Sequence, residues 1–479
     1  MATRVEVVPT RHTAMSLGRL IGGEPGRAVL HAARPDSEGR ATSLVVARPL
    51  LTFASRGAEC EVRRPGEPVE RQYGNPWRLL SPLLGRFELE EDPAWPFPMG
   101  AALGHFGYEL NQFIEPRLAR RAINDLELPD CHLGFHGSLV AFVEGVAHVV
   151  ATGLGPDGSR CEGRAARDVA WWRERLATPP TEGPPTEGNA PSRGGGAAAP
   201  VRCSLDGPFY TAAVRRAQAY IHTGDIYQVN LARRLDAPVA GTSWDLFEAL
   251  VRASPAPYAA FFEASSFDLV SASPELFLAM DDREVVTRPI KGTRPRGQDA
   301  ESDARLAREL MASEKERAEL TMITDLLRND LGRVAEFGTV RVPDLMRLES
   351  YAQVHHLVST VTATLRRGLS HLDALEACFP GGSITGAPKL RAMEIIDELE
   401  PVARGPYCGC HGYLGFNRRS RLGITIRSAV VRDGHAWFHA GAGIVADSEP
   451  SAELAETEAK ARGLMEALGM AGKVRGVIP

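Results

Sequence analysis

From Leu176 to Pro200 the chain reads LATPPTEGPPTEGNAPSRGGGAAAP, a tandem PPTEG followed by a glycine-alanine tail. Such a stretch has too little apolar surface to offset the entropy of ordering it, and its prolines and glycines disfavour helix and strand. It is expected to be a linker or long surface loop, 176–200, separating a region 1–175 from a region 201–479. Each side is long enough for a hydrophobic core.

The two sides differ in pattern. Upstream, SLVVARPLLTFAS and GSLVAFVEGVAHVVATGL predict strands and few segments show helical periodicity, so this region is expected to be β-rich. Downstream, helices are expected at PFYTAAVRRAQAYIHTG, over about Asp303 to Leu331, after GAPK, and at SAELAETEAKARGLMEAL. Strands are expected at YQVNLARRL, YAAFFEAS, DLVSASPELFLAM, LGITIRSAVVR and AWFHAGAGIV, which gives an α+β architecture.

A net charge of −5 and a pI near 6.3 provide no basic footprint for nucleic acid or an anionic membrane. No apolar run is long enough for a signal peptide or a bilayer span, so a cytoplasmic location is expected. The seven cysteines are scattered and odd in number, which fits reduced thiols. Cys408, Cys410 and His411 cluster in YCGCHGY, but zinc needs a fourth ligand and finger spacing; buried thiols are the better reading.

Chemistry-bearing residues gather downstream. Glu316 and Glu319 lie three apart on one helical face, and Glu453 and Glu456 repeat the device on the last helix. Either pair alone fits a solvated surface; together, four carboxylates make an oxygen-rich site suited to Mg²⁺. In FPGGSITGAPK, Gly381, Gly382 and Gly386 with Ser383, Thr385 and Lys389 form a candidate anion cradle before a helix. Gly441 and Gly443 in AGAGIVADS fit either a close backbone approach to a ligand or a bulge. His355 and His356 open a β-branched run, and Arg427 falls in an apolar strand pattern where a buried guanidinium requires an anion. Lys291, in TRPIKGTRPRG, fits an exposed turn; to act as a nucleophile it would need burial or nearby cations.

Taken in order, GDIYQVNLARR, SPELF, PIKGTRPRG, KERAELTMITDLLRNDLGRV, VHHLVSTV, FPGGSITGAPKLRAMEIIDELEP, GYLGF, ITIRSAV and AGAGIVADSEPSAELAETEAKA resemble the chorismate-utilising enzyme family, over roughly Phe209 to Leu468. Upstream, GAALGHFGYEL and LPDCHLGFHG extend the likeness. The resemblance implies an anthranilate synthase component I-like fold, with large sheets packed as a sandwich and helices outside. It implies chorismate as substrate and Mg²⁺ as cofactor, with Glu319 and Glu456 as direct ligands and Glu316 and Glu453 supporting through water. Gln228, Thr293, His356, Ser383, Thr385, Tyr413, Arg427, Gly441, Gly443 and Lys460 match substrate-binding positions.

Two positions discriminate within the family. Members that add water to chorismate carry a lysine base where this chain has Gln228, and anthranilate synthases have alanine where it has Lys291. The resemblance therefore implies the branch that places ammonia at C4, with Lys291 as nucleophile and Glu275 as general acid and base. The chain lacks the G-x-C-x-G elbow of a class I glutaminase, so a separate glutamine amidotransferase subunit is the expected source of ammonia. Anthranilate synthesis and a non-catalytic regulatory subunit of the same fold are the competing readings; the intact Lys291, Glu275 and glutamate set argue against the latter. The family also implies an N-terminal tryptophan pocket, for which Pro49 to Ser55 is a weak candidate wall.

Overall fold

The computed structural model describes residues 3–35, 41–89, 95–180, 201–351 and 354–470. Two twelve-stranded antiparallel sheets organise them. In the first sheet Ala28–His31 pairs directly with Tyr258–Glu263, and in the second Ala101–Phe106 pairs with Cys410–Gly415. Strands from either side of the expected linker therefore share both sheets.

The start of that linker differs from expectation. Ala165, Val169, Trp172 and Leu176 are buried at helical spacing, and this apolar stripe extends the helix Glu162–Ala177 over Leu176 and Ala177. Residues 181–200 lie outside the described residues.

The inner faces of the sheets meet in one buried cluster, where Val46, Leu139 and Leu269 of the first pack with Ala101, Leu103 and Tyr413 of the second. Helices Ala14–Leu20, Glu162–Ala177, Ser243–Ala253 and Pro450–Ala467 cover the outer face of the first sheet, placing Leu17, Trp172, Phe247 and Leu464 against Val149, Phe261 and Phe438. Helices Pro76–Gly85, Glu314–Gly332 and His371–Cys378 cover the second, with Trp77, Ile323, Leu327 and Leu375 over Phe106, Phe277 and Met280. The α+β sandwich with external helices matches the expected architecture. No helix among the described residues is long and apolar enough to cross a membrane.

Two local departures shape the site. The single helical stretch expected near 303–331 is two helices, Ala300–Ala312 and Glu314–Gly332, because Ser313 ends the first and its hydroxyl accepts from the Glu316 amide of the second. A serine side chain that bonds the backbone locally favours such a cap over a helix interior. The segment LGITIRSAVVR is likewise two strands, Arg419–Ile424 and Ser428–Arg432, with Arg427 in the break at φ +52°.

Lys389 does not join an anion cradle. Its ammonium donates to Asp330 at 2.6 Å and to the Cys378 carbonyl at 3.1 Å, fastening the helix Lys389–Leu399 to Glu314–Gly332. The Lys389 side chain is only 16% exposed, and removing Asp330 strands its charge. Asp330→Ala is expected to lower stability by about 3–5 kcal/mol in urea unfolding, and the double variant Asp330→Ala/Lys389→Met to recover most of that loss.

Candidate active site

The wall of the site is the ladder between Gln228–Pro238 and His435–Ile444, which sets Asn230 opposite Gly443 and Ala232 opposite Gly441. Beside it, the strand Ile290–Pro295 carries Lys291 and pairs with Val354–Thr364, bringing Thr293 opposite His356. A Cβ on Gly443 would stand 2.5 Å from the Gln228 amide nitrogen and 3.6 Å from Lys291 Nζ. Glycine there keeps open the space between two functional side chains. Lys291 is therefore not an exposed turn lysine: its side chain is 16% exposed, with Nζ 3.7 Å from Glu319 Oε2. Gln228 Nε2 donates to the same carboxylate oxygen at 3.2 Å. Of the two conditions set for a reactive Lys291, burial or nearby cations, the structure supplies burial, and its ion-pair partner among the described residues is a carboxylate.

Glu275 sits in the short break between Asp268–Ser273 and Leu276–Asp281, buried beside Lys291. Burial pushes its carboxyl above the ordinary range, while a hydrogen bond with Ser383, the Lys291 charge, the Ile290 amide and the Lys460 charge pull the other way. A carboxyl held up by desolvation beside an amine is suited to giving and taking a proton.

The helices Glu314–Gly332 and Pro450–Ala467 place all four glutamates within electrostatic reach of one lysine. Lys315, which sequence reasoning passed over, marks the point: its ammonium is 3.5 Å from Glu453 Oε1 and feels Glu319, Glu456 and Glu316 as well. Burial opposes the Lys315 charge, yet the four carboxylates hold its pKa above the ordinary value. Burial also raises Glu319, with Glu316 and Glu456 adding repulsion against the pull of Lys291 and Lys315. Lys460 bonds Glu456 at 2.7 Å and donates to the Gly441 carbonyl at 2.9 Å, tying the last helix to the wall. Among the described residues no three acidic, imidazole or thiol side chains converge closely enough to ligate one ion in this arrangement. The donor chemistry, carboxylate oxygens around a concentrated positive charge, is that of a hard divalent cation such as Mg²⁺.

The opposite side is cationic. Thr293 Oγ1 and His356 Nδ1 are 3.0 Å apart, and burial lowers the His356 pKa, opposed by the Gly292 carbonyl and reinforced by Arg427. The Arg427 guanidinium is half-buried and makes no hydrogen bond or ion pair among the described residues; burial lowers its pKa, and the Tyr407 hydroxyl is the group that favours its charge. A left-handed backbone at a non-glycine residue costs on the order of 1–3 kcal/mol and is retained where the fold needs the side chain aimed.

Not every expected residue reaches this site. Tyr413 points the other way in the strand Cys410–Gly415, into a separate apolar pocket lined by His31, Leu44, Tyr258 and Arg421. Strand alternation explains the difference, since Tyr413 shares a face with His411, not with Cys410. Tyr407, in the preceding turn, is the tyrosine at the site: its hydroxyl would lie 2.9 Å from a Cβ on Gly441. Thr385 is fully buried and its hydroxyl donates to the Gly381 carbonyl, so it shapes the loop that presents Ser383. Phe53, from the candidate wall Pro49 to Ser55, lines a different groove with Cys60 and Leu79. His355 bonds Ser350 and Asp303. Cys408 and Cys410 are buried free thiols, as expected.

Known proteins resemble the chain in sequence and in fold. Residues 42–466 match the family model described as chorismate binding enzyme. The chain is 40% identical to aminodeoxychorismate synthase component 1 of Klebsiella aerogenes over 449 residues, covering 94% of this chain and 95% of that one. It is 45% identical to anthranilate synthase component 1 of Thermus thermophilus over 422 residues, covering 88% and 86%. The crystal structure of anthranilate synthase component I from Streptococcus pneumoniae superposes with a TM-score of 0.75 at 28% identity, over 88% of this chain and 92% of that one. With its motifs, its fold and almost all of its length accounted for in this way, the chain belongs to the chorismate binding enzyme family.

Proposed function

We propose that the chain is an aminodeoxychorismate synthase component 1, converting chorismate and ammonia to 4-amino-4-deoxychorismate, which would feed p-aminobenzoate and folate synthesis. The observation that carries this reading is Lys291, a nearly buried amine between Glu319 and Glu275 at a point where Gly443 leaves room for a ligand. Lys291 attacks C2 of chorismate as the C4 hydroxyl departs with a shift of the double bond; ammonia then adds at C4 and expels the lysine. Glu275 enters as an acid to protonate the departing hydroxyl and then takes a proton from the incoming amine. Arg427 holds a substrate carboxylate, with Tyr407 and the Gly441 and Gly443 backbone alongside.

Glu319 and Glu456, with Glu316 and Glu453 beside them, are the residues that would hold Mg²⁺, and the ion would bind a substrate carboxylate and withdraw electron density from the ring. Lys315 must give way there, since its charge neutralises the same carboxylates. A separate glutamine amidotransferase, in the cytoplasm, is the proposed source of ammonia.

Anthranilate synthesis is the second reading, favoured by the 45% identity to the Thermus thermophilus enzyme. Product analysis with chorismate, ammonium and Mg²⁺ separates them: 4-amino-4-deoxychorismate is expected, and anthranilate fluorescence without an added lyase overturns the assignment. Intact-mass measurement with chorismate and no ammonia is expected to find a chorismate-derived adduct on the wild type and none on Lys291→Ala; the same adduct on both excludes Lys291 as the attachment point. Because Glu275 enters as an acid with a raised pKa, kcat/KM is expected to fall as pH rises through that value. Glu275→Gln should flatten this limb and lower kcat by about 10²–10⁴-fold.

A further inference from the structure

Alternate residues of a strand share a face, so on the site's side of His435–Ile444 the sequence runs His439, Gly441, Gly443. Their partners across the ladder are Arg234, Ala232 and Asn230 in turn. The two glycines carry no side chain, which leaves His439 as the nearest side chain on that face before the substrate space opens. Tyr407 lies on it: the imidazole and phenol rings are stacked, with centroids 4.9 Å apart and planes 12° from parallel. The phenol therefore runs along the strand, with its ring over His439 and its hydroxyl at Gly441, where a Cβ would stand 2.9 Å away.

The stack is built into the interior. His439 is 9% exposed and Tyr407 7%. A turn fixes the Tyr407 backbone, whose amide donates to the Arg404 carbonyl at 3.2 Å, but the direction of the ring is left to what it packs against. Burial first, then the charges of Arg234 and Arg404, hold the His439 imidazole well below its ordinary pKa against the pull of the Ala403 carbonyl, so it stacks as a neutral ring. A charge beneath Tyr407 would oppose the Arg427 guanidinium, which the Tyr407 hydroxyl favours. His439 Nε2 is buried without a hydrogen-bond partner among the described residues, so this ring makes its contact with the tyrosine through its face and not through that nitrogen. Beside the stack is a cavity of 20 Å³, lined also by Arg234, Thr425 and Trp437. It gives Tyr407 somewhere to shift if the ring beneath it is truncated, and gives a slightly larger ring at 439 somewhere to fit.

We propose that His439 is a positioning residue for the substrate: it stacks under Tyr407, holds the phenol against Arg427 and Gly441, and so sets how tightly the chain binds a carboxylate of chorismate. The inference rests on the reading above, in which Arg427 takes that carboxylate with Tyr407 alongside. His439 acts through Tyr407 and takes no part in the proton or bond transfers assigned to Glu275 and Lys291.

The test titrates chorismate calorimetrically into chains carrying Lys291→Ala, which removes the proposed attachment point, so that Kd is read without turnover. Adding His439→Ala to that background is expected to raise Kd about three- to tenfold, the size of one aromatic stack. Adding His439→Phe, which keeps a stacking face, is expected to leave Kd within about twofold and, by removing the unpaired nitrogen, to keep or raise the urea midpoint. Tyr407→Phe is expected to raise Kd as well, and His439→Ala to add little to it, because the stack then has no hydroxyl to aim. In ammonium-dependent turnover, His439→Ala alone is expected to raise KM for chorismate and leave kcat nearly unchanged. An unchanged Kd in His439→Ala, a loss in His439→Phe as large as in His439→Ala, or full additivity with Tyr407→Phe overturns the proposal. Arg427→Ala separates it from the reading beneath it. If Arg427→Ala leaves Kd unchanged, the carboxylate assignment falls and the proposal with it; if Arg427→Ala weakens binding and His439→Ala does not, the positioning role alone is overturned.

Discussion

The ladder between Gln228–Pro238 and His435–Ile444 is the constraint on which the site depends. Its hydrogen bonds fix which side chains face forward, so Gln228 reaches Glu319 while Gly441 and Gly443 leave the facing space clear. A one-residue slip would turn every one of these positions to the other side. The ladder also carries load behind it: Ala232 donates to Glu400, and Arg404 is pinned to Asn230. Front and back of the same two strands therefore answer to one register.

Charge is arranged around that wall by separation. Carboxylates from two helices stand on one side with Lys291, Lys315 and Lys460 among them, and the Arg427 guanidinium, without an ion pair among the described residues, stands with His356 on the other. A dicarboxylate substrate can meet positive charge at both ends, even though the whole chain carries −5. The energetic cost is burial first, which raises the Glu319 and Glu453 carboxyls, with repulsion among the glutamates adding to it and internal lysines offsetting part.

Much of this was legible in the sequence where periodicity governs. The i, i+3 glutamate pairs, the glycines of AGAGIV and the strand-helix alternation follow from local spacing, and the fold honours them. Three features escaped because they depend on something nonlocal. Tyr407 and Tyr413 share a glycine-rich segment, and only the start of the strand at Cys410 decides which of them faces the site. Arg427 sits in a backbone conformation that side chains other than glycine seldom adopt, so the apolar flanks read as one strand. Lys315 reads as an ordinary surface charge until the last helix, more than a hundred residues on, is packed against it.

The sharing of both sheets by the two sides of the chain bears on how such a protein could be rebuilt. Ala28–His31 and Ala101–Phe106 each find their partner strand far downstream. Cut at the boundary the sequence advertises, either half would present open strand edges and bare apolar sheet faces to water. The halves are therefore not exchangeable parts: a new N-terminal region could be grafted only together with the strand edges that receive it.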